Sequence, residues 1–327
     1  MRSRLSLFFV MVIGSVLALT GCGSTDASGS ASSGADTRSV RTEQGIVEIP
    51  AEPKRVVVLN HALAGYLYDL DVPVVATVSE DADRKGEFSE FWKDKAIENG
   101  TSLLEWGTDG FDYEAILEAD PDLIVGGGLG LPSALATKAY DRLGGIAPTV
   151  LVSGSLATWQ EQFRFLAEDV FGEAEAYADY LAAYESRVEE VKNAITPPPG
   201  PAAHLTITAD GTPYVLFENT GLPQMLGELG IEPAPLVEDN NLKPYKPGGD
   251  MAELSTEQVG QLLRMPTVFV TGFNADTTDV ATLSRQSVYA KLPAFENGNA
   301  YDLPYWTVRG DYDEAMALLD IIEKQFS

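Results

Sequence analysis

Asp112-Tyr-Glu114-Ala-Ile-Leu-Glu-Ala-Asp-Pro121-Asp122-Leu-Ile-Val-Gly126 packs a helix start, a stop and a strand into one short run. Asp112 is a capping residue, and Glu114 places an acid in the first turn, where the helix dipole favours it. Pro121 closes the turn that follows, and the apolar run after it has the make-up of a strand buried on both faces. The same grammar returns later in the chain. Ser255-Thr-Glu257-Gln258-Val opens a helix with a capping-box pattern, and Pro266 leads into Thr267-Val-Phe-Val-Thr-Gly272. Both copies read cap, one residue, Glu, short helix, Pro, buried strand, Gly. That recurrence, in order, implies two related halves.

The surrounding segments extend the pattern. Arg55-Val-Val-Val-Leu-Asn60 is a strand candidate, followed by a helical stretch from Leu63 to Leu70, Asp71-Val-Pro73, and a second apolar run from Val74 to Val78. Arg142 to Leu151 supplies a turn and a further strand. In the second half, His204 to Thr208 reads as a strand and Pro223 to Leu229 as a helix, and Gly230-Ile-Glu-Pro233 parallels Asp71-Val-Pro73. Alternating strands and helices imply parallel sheets covered on both faces. Between the halves, Thr158-Trp-Gln-Glu161 is a capping box. Tyr177, Leu181, Tyr184, Val188, Val191 and Ile195 then recur at spacings of four, three, four, three and four, one face of an amphipathic helix. Gly172 kinks or splits this region, and Pro197-Pro198-Pro199-Gly200 ends it.

Composition narrows the function. The chain has 327 residues, 45% hydrophobic and 22% charged, with a net charge of −27. So acidic a balance argues against nucleic acid, whose phosphates need clustered Lys and Arg. A neutral or cationic ligand suits it better than a polyanion, unless a local basic pocket overrides the field. Acidity also simply keeps an exported protein soluble. Cys22 is the only cysteine, so an internal disulfide and a thiolate zinc cluster are excluded; His61 and His204 are the only histidines.

Arg2 and Arg4 precede an apolar run from Leu5 to Leu19, which fits a secretory signal core and is too short to span a membrane comfortably. Leu19-Thr20-Gly21-Cys22 resembles the lipobox of bacterial lipoproteins, which implies cleavage before Cys22 and lipidation of its sulfur. The Gly- and Ser-rich residues after it read as a flexible tether. The expected organisation is a signal peptide at 1–21, a tether at 22–40, an N-terminal α/β lobe at 41–157, a linking helical region at 158–196 and a C-terminal α/β lobe at 197–327. The chain is expected outside the cytoplasm, anchored to the cell membrane through Cys22.

Pro53-Lys-Arg55-Val-Val-Val-Leu, Tyr113 to Ile124, Leu254-Ser-Thr-Glu257-Gln-Val and Leu292-Pro-Ala-Phe-Glu-Asn-Gly298-Asn-Ala-Tyr301 carry a resemblance. With the lipobox, tether and connecting helix, they are similar to the helix-linked substrate-binding lipoproteins of ABC importers, of the ferric-siderophore type. The match runs from about residue 45 to the end. The resemblance implies a fold of two Rossmann-like lobes joined by a long helix, with the ligand in the cleft between them. It implies no intrinsic cofactor, no chemistry, and no metal bound directly by the protein, the iron being carried by a ferric siderophore. The implied partner is an ABC permease dimer with its ATPase, served by a monomer.

Ligands of open α/β sheets lie at the carboxyl ends of strands, and ferric siderophores suit aromatic walls with a few hydrogen-bond donors. Those loops offer Asn60, His61, Trp106, Phe217, Asn219, Phe273, Tyr305, Trp306 and Arg309 as ligand-binding candidates. The resemblance favours a hydroxamate siderophore, because family members of the hydroxamate type often place an aromatic where Trp306 stands. Asn219 and Thr220 depart from the Trp or Arg that hydroxamate-binding relatives carry there. Competing accounts place Trp306 under a loop as packing, pair Arg309 with Asp311 or another surface acid, and make His204 structural. The resemblance also implies that Glu114 and Glu257, one per half, dock on arginines of the permease; the plain alternative is a helix-dipole role.

Two other classes compete. Haem or cobalamin would keep the importer role, with His61, Tyr305 or Tyr245 on a haem iron. Gly126-Gly-Gly128-Leu-Gly130-Leu-Pro132-Ser133 follows a strand, as a dinucleotide loop does, but Pro132 interrupts the register of G-x-G-x-x-G. A serine hydrolase lacks its G-x-S-x-G elbow.

Overall fold

The computed structural model describes residues 36–327, apart from 81, 83–85, 247–248 and 274–277. The expected signal peptide, Cys22 and the expected tether up to residue 35 lie outside the described residues. Among the described residues, fourteen strands follow in chain order. The first pair, β1 (Thr37–Thr42) and β2 (Gly45–Pro50), is a hairpin. It corrects the tether boundary: residues 37–40 are in a strand, Val40 is buried, and the Arg38 guanidinium donates to the Val170 carbonyl at 3.3 Å.

The N-terminal sheet holds β3 (Val56–Val58), β4 (Val74–Val78), β5 (Ser102–Leu104), β8 (Leu123–Gly127) and β9 (Thr149–Val152). Its order is β5-β4-β3-β8-β9, every pair parallel. A small hairpin, β6 (Trp106–Gly107) with β7 (Gly110–Phe111), follows β5. The largely apolar character of β3, β8 and β9 reflects burial on both faces.

The C-terminal sheet holds β10 (Ala202–Ile207), β11 (Pro213–Leu216), β12 (Met251–Glu253), β13 (Thr267–Gly272) and β14 (Ala300–Asp302), in the order β12-β11-β10-β13-β14. This sheet is mixed. The β10–β13 and β13–β14 pairs are parallel, whereas β10–β11 and β11–β12 are antiparallel. The cause is local. Asp210-Gly211 turns the chain within a few residues, and so short a connection joins only antiparallel strands. The Thr208 hydroxyl accepts from Thr212 N at 3.0 Å and fixes that turn.

The repeated grammar has one structural meaning. The Asp112 carboxylate accepts from Glu114 N and Ala115 N at 3.0 and 3.1 Å, capping a helix that feeds β8. Ser255 and Gln258 form a full capping box on the helix that feeds β13. In each five-stranded sheet, the fed strand lies parallel beside the strand that comes first in the chain.

Between the sheets, the capping box at Thr158 opens a helix, Trp159–Arg164, which widens into a π-helical stretch, Phe165–Phe171. Gly172 splits this piece from the long helix Ala174–Ala194. That helix, about 31 Å long at ~1.5 Å per residue, buries Tyr177, Tyr184, Val188 and Val191 on the face its periodicity marked. The burial is shared by both halves. Trp159 and Tyr184 meet edge-on at 4.8 Å, Phe163 stacks on Tyr66 at 5.1 Å, and Tyr180 meets Tyr312 at 4.6 Å. Leu63 and Leu67 of the N-terminal half join the same core as Leu222, Leu226 and Leu318 of the C-terminal half.

A core that both halves share makes them unfold together. Phe163→Ala is expected to cost about 3–5 kcal/mol, the range for deleting a buried aromatic. Thermal unfolding followed by circular dichroism should still show one transition at lower temperature; two separated transitions would mean that the halves have independent cores.

Candidate functional site

A cleft of about 520 Å³ opens between the two sheets. Its N-terminal wall comes from loops that leave β3, β4 and β8. Asn60 follows β3 and caps the helix His61–Asp69, its Oδ1 accepting from Ala62 N at 3.2 Å. Its amide nitrogen donates to the carbonyls of Gly127 and Leu129 at 2.7 and 3.1 Å. Both amide protons are thus engaged, and Asn60 is a brace for the glycine loop as well as part of the wall. His61 lies against Trp92 at 4.9 Å. Burial lowers its pKa to about 4, so the imidazole is neutral at neutral pH. Its buried Nδ1 has no hydrogen-bond partner. Trp106, 6% exposed, donates Nε1–H to the Ser79 carbonyl at 2.7 Å and leaves its ring as cleft floor.

The glycine loop is explained by packing. At Gly127, with φ of +84°, an added Cβ would lie 2.2 Å from the Val152 carbonyl oxygen. At Gly130, with φ of +82°, it would lie 3.0 Å from Cζ of Arg309, which reaches over from the other half. These glycines admit close neighbours, and a side chain fits at neither position.

The C-terminal wall is aromatic. Tyr214 meets Tyr245 edge-on at 6.0 Å and Phe273 at 6.3 Å. Tyr305 and Trp306 sit on a 3-10 turn, Tyr305–Arg309. Trp306 is half-buried and meets Phe91 of the N-terminal half edge-on at 4.9 Å, so its ring bridges the halves as well as lining the cleft. Arg309 is not paired with Asp311, which instead caps the helix Tyr312–Phe326. Its partner is Asp250: Nε and Nη2 donate to the two carboxylate oxygens at 2.6 and 2.7 Å.

Two ligand candidates fall elsewhere. Phe217 and Asn219 do not line the cleft. Because β11 runs antiparallel, it carries the chain back past the level of Leu205, away from the carboxyl end of β10. The Phe217 ring packs in the core of the C-terminal half, and Asn219 is exposed on a turn closed by Thr220 bonding to the Phe217 carbonyl. The turn between β10 and β11 occupies the place assigned to them, bringing Thr208, Asp210 and Thr212 to the cleft. Tyr214, Glu80, Lys246 and Glu314 also line it and were not singled out as ligand contacts from the sequence. Asp210-Gly211 was the available signal for the turn.

Glu314 is buried, and burial together with Asp311 beside it raises its pKa well above the ordinary carboxylate range. Asp210 is lowered by hydrogen bonds from Thr208 and Thr212. His204 is buried in β10, stacked on Phe269 at 5.6 Å, and burial lowers its pKa to about 3. Glu114 and Glu257 are exposed at matching places on their helices, and neither lines the cleft. Gln261 donates to Glu257 at 2.9 Å. Among the described residues, no group of three or more His, Cys, Asp or Glu is placed to hold a metal ion.

Two expectations follow for solution. The folded-state pKa values of both histidines lie below the usual 6.5, so neither imidazole should titrate between pH 8 and 5; a midpoint near 6.5 in the histidine NMR signals would contradict their burial. Trp306→Ala should weaken ligand binding by about 1–3 kcal/mol, with a smaller effect on thermal stability. Unchanged affinity with a large fall in melting temperature would make Trp306 a packing residue alone.

Comparison with known proteins agrees with this architecture. The ferric enterobactin-binding periplasmic protein FepB of Escherichia coli is 29% identical over 88% of this chain and 91% of its own. The probable siderophore-binding lipoprotein YfiY of Bacillus subtilis is 26% identical over 100% of this chain and 99% of its own. The crystal structure of holo-ViuP superposes with a TM-score of 0.76, covering 89% of this chain and 95% of that one at 23% identity. A family model described as periplasmic binding protein matches residues 56–305, and the chain belongs to that family.

Proposed function

We propose that this protein is the substrate-binding lipoprotein of an ABC importer, which captures a ferric siderophore outside the cytoplasm and hands it to a permease. The observation that carries the reading is the cleft itself, about 520 Å³ and walled by Trp106, Tyr214, Tyr245, Phe273, Tyr305 and Trp306. A cavity of that size and aromatic character suits a bulky chelate with apolar flanks. The names of the relatives from Escherichia coli and Bacillus subtilis support the siderophore class. Within it we favour a hydroxamate, because Arg309 is already paired with Asp250 and the Lys, Asp and Glu residues of the lining are Lys246, Glu80, Asp210 and Glu314. Such a wall offers little to a strongly anionic complex.

The protein acts by binding alone. Cys22, with its lipobox, supplies the anchor, and the tether lets the body reach the permease. Glu114 and Glu257 are the docking carboxylates. Each stands exposed in the first turn of a helix that feeds its own sheet, so their separation is set by the fold. Charges held at fixed spacing set register and orientation more than affinity.

The first test is tryptophan-fluorescence titration of the body against ferric hydroxamates, ferric catecholates, haem and cobalamin. Saturable quenching by a ferric siderophore at micromolar concentration or below is expected; response to haem or cobalamin alone, or to none of the four, contradicts the reading. For docking, the Glu114→Lys/Glu257→Lys double variant should bind ligand as the wild type does and nearly abolish uptake in cells. Normal uptake at normal surface level would leave both residues as helix-dipole partners.

A further inference from the structure

Asp250 stands just ahead of β12, is 4% exposed, and was not marked by any sequence pattern. Its carboxylate takes the Arg309 guanidinium side-on, both contacts short and parallel, the fork geometry that fixes orientation as well as charge. From the other side, Gly130 of the N-terminal half lies against the same guanidinium, where an added Cβ would be 3.0 Å from Cζ. Arg309 is therefore clamped in place. Nε and Nη2 point to Asp250, and Nη1 lies outside that pair. Among the described residues, Arg309 is the only arginine that lines the cleft.

The consequence is electrostatic. A cleft-lining arginine with no carboxylate partner would draw anionic complexes; this one forms a pair with no net charge. Three monoanionic hydroxamates on Fe³⁺ give a neutral complex, whereas three dianionic catecholates give a trianion. We propose that Asp250 is a specificity-determining and positioning residue: by holding and neutralising Arg309, it makes the cleft prefer neutral ferric complexes over trianionic ones. The inference rests on the ferric-siderophore reading of the cleft and adds the residue that sets its charge preference.

The test compares dissociation constants of the wild-type body, Asp250→Asn and Arg309→Gln for one ferric tris-hydroxamate and one ferric tris-catecholate, at low and high salt. Asp250→Asn keeps the shape and releases the positive charge, so the preference should move toward the catecholate by about tenfold, less at high salt. Arg309→Gln leaves the carboxylate behind and should move the preference the other way. Opposite shifts are a readout that loss of packing would not give, since packing damage weakens both ligands alike. Should Asp250→Asn fail to fold, the direction of the Arg309→Gln shift decides. An unmoved ratio in every folded variant, or a wild type that favours the catecholate, overturns the inference while leaving the siderophore reading intact. A wild type that binds neither complex overturns both.

Discussion

The aromatic core around Trp159, Phe163 and Tyr184 is the constraint on which the rest of the molecule depends. These rings come from the linking segment, yet they pack against Tyr66 of one half and Tyr312 and Leu222 of the other. Neither half can bury its share of that surface alone. The result holds the loops of both halves that line the cleft in one arrangement. It also limits the motion available. A hinge needs a few loop residues that absorb a large dihedral change, whereas a packed core permits small sliding. The Arg309–Gly130 and Phe91–Trp306 contacts cross between the halves at the cleft itself.

Where the chain obeys local rules, its structure was legible. The caps at Asp112, Thr158 and Ser255 all form as their patterns indicate, because a side chain bonding to a backbone amide two or three residues away depends on nothing distant. The periodic face of the long helix is the buried one for the same reason. The antiparallel strand β11 was missed because it is four residues long and starts with Pro213, leaving little pattern to read. That omission misplaced Phe217 and Asn219, since a strand of reversed direction delivers its ends to different places. The hairpin turn, at Asp210-Gly211, carried the one signal that could have prevented it.

The site was partly legible for a related reason. Strand ends identify which loops face a crevice, so Trp106, Phe273, Tyr305 and Trp306 could be placed there from their positions. What each polar group does could not be read in that way. Asn60 looks like a ligand donor until its amide is seen bridging two carbonyls of the glycine loop, and His61 looks titratable until its burial is known. Asp250 is the extreme case. It meets Arg309 across fifty-nine positions of sequence, and no local rule marks it. These long-range pairings convert a wall of suitable residue types into one with a defined charge preference.

Because the shared core holds the halves together, the cleft should exist before the ligand arrives. Cys22 is the chain's only cysteine, so a body lacking the lipobox can carry two introduced thiols without competition. Spin labels at the exposed positions Glu98 and Arg285, one on each half, would report their separation by pulsed electron resonance, with and without a ferric siderophore. The account predicts a change of less than about 3 Å on loading, in keeping with small sliding motion. A closure of about 10 Å, the scale of a true hinge, would contradict it.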